Sequence, residues 1–123
     1  MITNWFNPQT GILTTDFSGT ILVDEIVEWL NNITPHRYPL KKLNLLLNET
    51  NAEYSYQPDE YHKIDKANEV VASLFEQFYI AIVHHKPKEM AISEIIHRRK
   101  HPKNYYTGVF DSEKNALKWL LKV

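Results

Sequence analysis

Tyr105-Tyr106-Thr107-Gly108-Val109-Phe110-Asp111-Ser112-Glu113, followed by Ala116-Leu117-Lys118-Trp119-Leu120, reads as a short buried strand running straight into a capped helix. Asp111 stands at the N-cap, where a carboxylate accepts orphan backbone N–H groups of the first turn. Behind it Ala116, Leu117, Trp119 and Leu120 form an apolar stripe at helical spacing. Two further strand-then-helix units precede this one, and that alternation places the chain among the α/β layer proteins.

Working back along the chain, residues 79–83, Tyr-Ile-Ala-Ile-Val, form the clearest strand. Pro87 opens a helix after it, with Ala91, Ile92, Ile95 and Ile96 inward, and Pro102 stops that helix. An earlier helix begins at Pro58, a residue suited to the first helical position, with Asp59 and Glu60 in the first turn. It runs to about Gln77, with Tyr61, Ile64, Ala67, Val71, Leu74, Phe75 and Phe78 on its inner side. Residues 43–47, Leu-Asn-Leu-Leu-Leu, are too short for a typical helix and read as a central parallel strand. Residues 48–57 then make the longest irregular stretch.

Val23, Ile26, Val27, Leu30 and Ile33 share one helical face, and Pro35 and Pro39 end that helix. At the start, residues 3–6 and 11–17 read as two strands around Asn7-Pro8-Gln9-Thr10-Gly11, with Gly19 breaking the second. The order is ββαβαβαβα. It predicts one domain over residues 1–123, with a single mixed, mostly parallel five-stranded sheet and helices packed on it. The last three strands are expected to be parallel, joined by right-handed crossovers.

Composition bounds the function. With 123 residues, 43% hydrophobic and 24% charged, the chain can bury a core without covalent staples. The absence of cysteine removes disulfides, thiolate zinc sites and thiol nucleophiles together. A net charge of −1 gives no general attraction to nucleic acid or acidic membranes. No apolar run approaches the roughly 20 residues that span a bilayer. Residues 1–6 lack the basic start and apolar core of a signal peptide. The expectation is a cytoplasmic protein with no membrane insertion, no nucleic-acid partner and no cofactor.

The order and several phrases resemble the SpoIIAA-like family, within the wider STAS-type group of sulfate-transporter and anti-sigma-factor antagonist domains. The resemblance spans nearly the whole chain. It rests on the opening hairpin with Gly11 and Gly19, the leucine-rich strand at 43–47, and the closing phrase Val109-Phe110-Asp111-Ser112-Glu113 with Ala116, Trp119 and Leu120. It implies a regulatory or ligand-binding module. In the anti-sigma antagonists a phosphorylatable serine follows the central strand in an Asp-Ser-Ser-Gly type motif. Here that region reads Leu47-Asn48-Glu49-Thr50-Asn51-Ala52, so the kinase-regulated role lacks its motif.

In open parallel sheets, ligands gather beyond the carboxyl ends of the strands. Those ends carry Asn48 and Glu49, then His84 and His85, then Asp111. If the first two strands are neighbours, Glu49 or Asn48 comes near His84 or His85, and a carboxylate beside an imidazole fixes its tautomer. Tyr54 and Tyr56 would wall such a crevice. The bland alternative sends His84 and His85 into solvent and the tyrosines over the sheet edge. His97 and His101 have metal-ligand spacing, but His101 precedes proline and no third ligand is evident. Arg98, Arg99 and Lys100 form the basic cluster, which complements a helix C-terminus or receives an anionic partner. Neither a nucleophile elbow nor a phosphate-cradling glycine loop is present.

The sequence therefore points to a non-enzymatic regulatory or binding domain, recognising an unknown protein partner or small ligand at the loops after the parallel strands. The alternative is a small enzyme using Glu49 with His84 or His85 as an acid/base pair. A homodimer through the opening hairpin is a third expectation, since an exposed strand edge can pair with another copy.

Overall fold

A computed structural model of the chain describes residues 1–55, 57–86 and 102–123. Its elements are β1 (Ile2–Asn7), β2 (Ile12–Ile21), α1 (Val23–Asn31), β3 (Lys42–Tyr54), a 3₁₀ turn (Pro58–Glu60), α2 (Tyr61–Leu74), β4 (Gln77–Val83), β5 (Tyr105–Phe110) and α3 (Glu113–Lys122). The strands form one mixed sheet in the order β1-β2-β3-β4-β5. β1 lies antiparallel to β2 at one edge, and every later pairing is parallel. The expected helix over 87–101 lies outside the described residues.

The sheet is covered on both faces, and strand alternation sorts the side chains between them. Leu13, Phe17, Leu43, Leu45, Leu47, Phe78, Ile80 and Tyr105 pack with Ile26, Trp29 and Leu30 of α1 and Ala67, Val71 and Ala72 of α2. On the opposite face Ile12, Leu46, Ala81 and Val83 pack with Ala116 and Leu120 of α3. Strands buried on both faces read as near-continuous apolar runs, which is why 43–47 and 79–83 were legible.

Several boundaries differ from the sequence reading, each for a local reason. The central strand does not stop at Leu47 but runs on to Tyr54, so Asn48, Glu49 and Tyr54 are strand residues rather than loop residues. The polar composition of 48–54 yields to the ladder: Ser18–Ile21 of β2 pair with Asn51–Tyr54. Gly19 does not break β2. It sits inside the strand at φ +71, a left-handed conformation that glycine adopts without steric cost.

α2 starts one turn later than Pro58 and ends at Leu74, because Gln77 already belongs to β4. Leu74 and Leu117, read as inward, are exposed. The α3 cap is Ser112 rather than Asp111: the Ser112 hydroxyl accepts from Asn115 N at 3.2 Å. Asp111 instead accepts from the Asn115 side chain at 3.1 Å.

Candidate functional site

The site begins with a fault in the β2–β3 ladder. Asp16 pairs with Asn48 and Ser18 with Asn51, so Glu49 and Thr50 together stand opposite the single residue Phe17. That is a β-bulge, which bends a strand and re-aims a side chain. On the other side, β3 and β4 stay in register up to Asn48 and Val83. Glu49 and His84 are the next residues along.

Both side chains turn toward the α1–α2 face, and Oε2 of Glu49 meets Nε2 of His84. The pair is deeply placed, Glu49 being 8% and His84 3% exposed. Among the described residues Nε2 has no regular hydrogen bond besides this contact. The His84 main chain is held separately, its N–H donating to Phe110 O at 3.0 Å. Three adjacent strands therefore fix the pair: β3 supplies the carboxylate, β4 the imidazole, and the end of β5 the backbone anchor.

Two further ionisable groups, Tyr105 and Asp65, belong to the α1–α2 side of the sheet. Tyr105 is buried on that face, and burial pushes its phenol above its ordinary value, with the charges of Asp65 and then Glu49 adding to the shift. The contact of Glu49 with His84 joins β3 to the end of β4. The sequence reading missed Tyr105 and Asp65. Asp65 was findable, since it falls four residues after Tyr61 and seven before the buried Ala72, on one flank of α2.

The expected residues divide. Glu49 and His84 come together, whereas His85 is exposed and stands apart from the pair. The solvent reading of His84 is thereby corrected, because the residue is buried. Asn48, adjacent to Glu49 on an alternating strand, faces the α3 side. Its Nδ2 donates to Glu113 Oε1 at 2.9 Å, while its Oδ1 accepts from Thr50 N at 2.9 Å.

Asn48 and Glu49 therefore serve opposite faces of the sheet. Tyr54 stands opposite Ile21 and packs against the α1–α2 core, so it is a core-facing ring rather than a crevice wall. Tyr56, His97, Arg98, Arg99, Lys100 and His101 lie outside the described residues. The Thr50 hydroxyl at the bulge is buried with no hydrogen-bond partner among the described residues.

The strand order also bears on the site. A topological switch point requires the order to reverse, and this sheet runs from β1 to β5 without reversal. Among the described residues no group of three or more His, Asp or Glu side chains gathers as a metal site. No helix there is long and apolar enough to cross a membrane.

No family profile and no curated protein matches this chain. A solved structure does. The chain is similar to an uncharacterized protein of the DUF3478 family with a SpoIIAA-like fold from Shewanella loihica PV-4, at 12% identity and a TM-score of 0.69. The match covers 97% of this chain and 93% of that one. The fold is SpoIIAA-like, as the resemblance implied.

Proposed function

We propose that this chain is a non-enzymatic regulatory or binding domain. It recognises a partner protein or a small, partly apolar ligand at the carboxyl ends of its parallel strands. The observation that supports this reading is the burial of Glu49 and His84 against each other. A general acid or base must come within hydrogen-bond reach, or one water, of the proton it moves. Two side chains under one-tenth exposed and turned inward instead brace the bulge of β3 against the end of β4. The exposed His85 and Asp111 follow the ends of β4 and β5. Arg98, Arg99 and Lys100 are the second candidate surface. A reducing cytoplasm suits a chain without cysteine.

Native mass spectrometry of protein purified gently from its own host tests the proposal. A defined small-molecule adduct or a co-purifying chain, weakened by His85→Ala or Asp111→Ala, supports it. A bare apo mass under all gentle conditions counts against it.

A second reading, acid/base catalysis by Glu49 and His84, is favoured by their direct contact. Its test uses any ligand that mass spectrometry identifies. Conversion of that ligand, lost in both Glu49→Gln and His84→Ala, establishes catalysis. A ligand unchanged after long incubation sinks it.

A further inference from the structure

Among the described residues, no strand pairs with the outer edge of β1. Met1 and Ser18 exchange backbone hydrogen bonds, Met1 N donating to Ser18 O and Ser18 N to Met1 O at 2.9 Å. In an antiparallel ladder such exchanging pairs alternate with pairs that share no hydrogen bond. The register continues through Thr3↔Asp16, Trp5↔Thr14 and Asn7↔Ile12, so these residues turn their backbone groups toward β2. Ile2, Asn4 and Phe6 consequently turn an N–H and a C=O each away from the sheet. Among the described residues no other segment's backbone bonds to them.

Natural edges are guarded by charges, proline, bulges or a covering element. β1, Ile-Thr-Asn-Trp-Phe-Asn, carries no charge and no proline, and its pairing with β2 is unbroken. Trp5 is 66% exposed. It stands opposite Thr14, which puts it on the α3 face of the sheet.

We infer that two copies of this chain join β1 to β1, antiparallel, about a two-fold axis through Asn4, to make one continuous sheet. A two-fold perpendicular to the sheet requires facing residues to share a face. Centring on Asn4 sets Asn4 against its own copy and Ile2 against Phe6 of the second copy, so every outward donor and acceptor is paired. Centring on Trp5 would set Ile2 against Pro8, which lies beyond the strand and has no N–H.

The Asn4 register also places Trp5 opposite Thr3 of the second copy in a close pair, with the two indoles diagonal across the axis. The exposed ring is thereby covered. Ile2 and Phe6, already packed against the α1–α2 core, meet across the axis on the other face. With no charge on β1, no like-charge repulsion opposes the pairing.

Sedimentation velocity on the full chain, at rising concentration, should show a dimer. Replacing the exposed Thr3 and Trp5 together (Thr3→Lys with Trp5→Lys) should keep the circular dichroism of the fold and weaken the dimer on the order of tenfold or more. Register is tested by cross-linking, since the chain has no cysteine of its own. A mixture of Thr3→Cys and Trp5→Cys variants should form a disulfide-linked pair that Thr3→Cys alone does not. A monomer at every concentration overturns the inference. So does a dimer indifferent to the lysine pair, or one that captures a strand of a different protein in place of its own copy.

Discussion

Glu49 and His84 meet because β3 bulges one residue past its last pairing with β4: Asn48 is level with Val83, and the next residue on each strand turns its polar end inward. A bulge against β2 on one side and a continuing register with β4 on the other leave Glu49 little choice of partner. Removing either member leaves the other buried and polar, which costs about 1–3 kcal/mol. Glu49→Ala and His84→Ala should each destabilise by that order in urea unfolding. The double variant should fall short of the sum by about 0.5–3 kcal/mol of coupling. Additivity within a few tenths would mean that the contact contributes no stability.

Tyr105 gives the fold an alkaline limit. Its phenol is held above the ordinary value of 10.0, by burial first and then by Asp65 and Glu49. The neutral form is thus favoured in the folded state. The sign follows: this contribution is fully present below the unfolded value near 10, and is lost as pH rises past it toward the folded value. Stability should decline above pH ~10 with a slope of up to about 1.4 kcal/mol per pH unit from this group. Tyr105→Phe should flatten that part of the profile. Unfolding free energies of the two proteins at pH 9 and pH 11 check it, and a parallel decline in both would remove Tyr105 as the cause.

The residues that made the fold legible are those whose burial is continuous. Leu43 to Leu47 and Tyr79 to Val83 announced strands because both sheet faces are covered there, whereas Tyr105–Phe110, read as a buried strand, lies at the sheet edge with only Tyr105 buried. What stayed hidden was set by pairing rather than by pattern. Residues 48–54 are polar enough to read as loop, and only the presence of Ser18–Ile21 alongside makes them a strand.

Half of the candidate site was readable for the same reason. His84 directly follows one apolar run, and Glu49 comes two residues after the other, in neighbouring strands. The bulge and the turning of Asn48 to the opposite face depend on register, which composition does not carry.

Gly108 is small because of Phe110 and Trp119. A Cβ at position 108 would lie 2.8 Å from Cε2 and 3.0 Å from Cζ of Phe110, with Trp119 behind at 3.7 Å. The Phe110 and Trp119 rings are themselves in contact, centroids 5.5 Å apart, so Phe110 cannot yield without disturbing its neighbour. Gly108→Ala should therefore cost about 1–2 kcal/mol by overpacking. Adding Phe110→Leu should recover most of the loss that Gly108→Ala causes in the wild-type background. Equal losses in both backgrounds, measured by thermal unfolding, would show that the ring is not the obstacle.

Asn4 ties the edge strand to α1 with one oxygen. Its Oδ1 accepts from Thr15 Oγ1 at 2.7 Å and from Trp29 Nε1 at 2.9 Å. Thr15 is fully buried and Trp29 nearly so, with the Trp29 ring edge-on to Phe17 at 5.1 Å. Asn4→Ala would leave two donors without their acceptor, each costing about 1–3 kcal/mol. Asn4→Asp keeps an oxygen for both and should cost much less than Asn4→Ala. Trp29→Phe should fall between them, since it removes one donor along with part of the packing. Chemical denaturation of the three variants gives the order Asp, Phe, Ala. An Asn4→Ala protein as stable as wild type would show that α1 is held to the sheet by apolar packing alone.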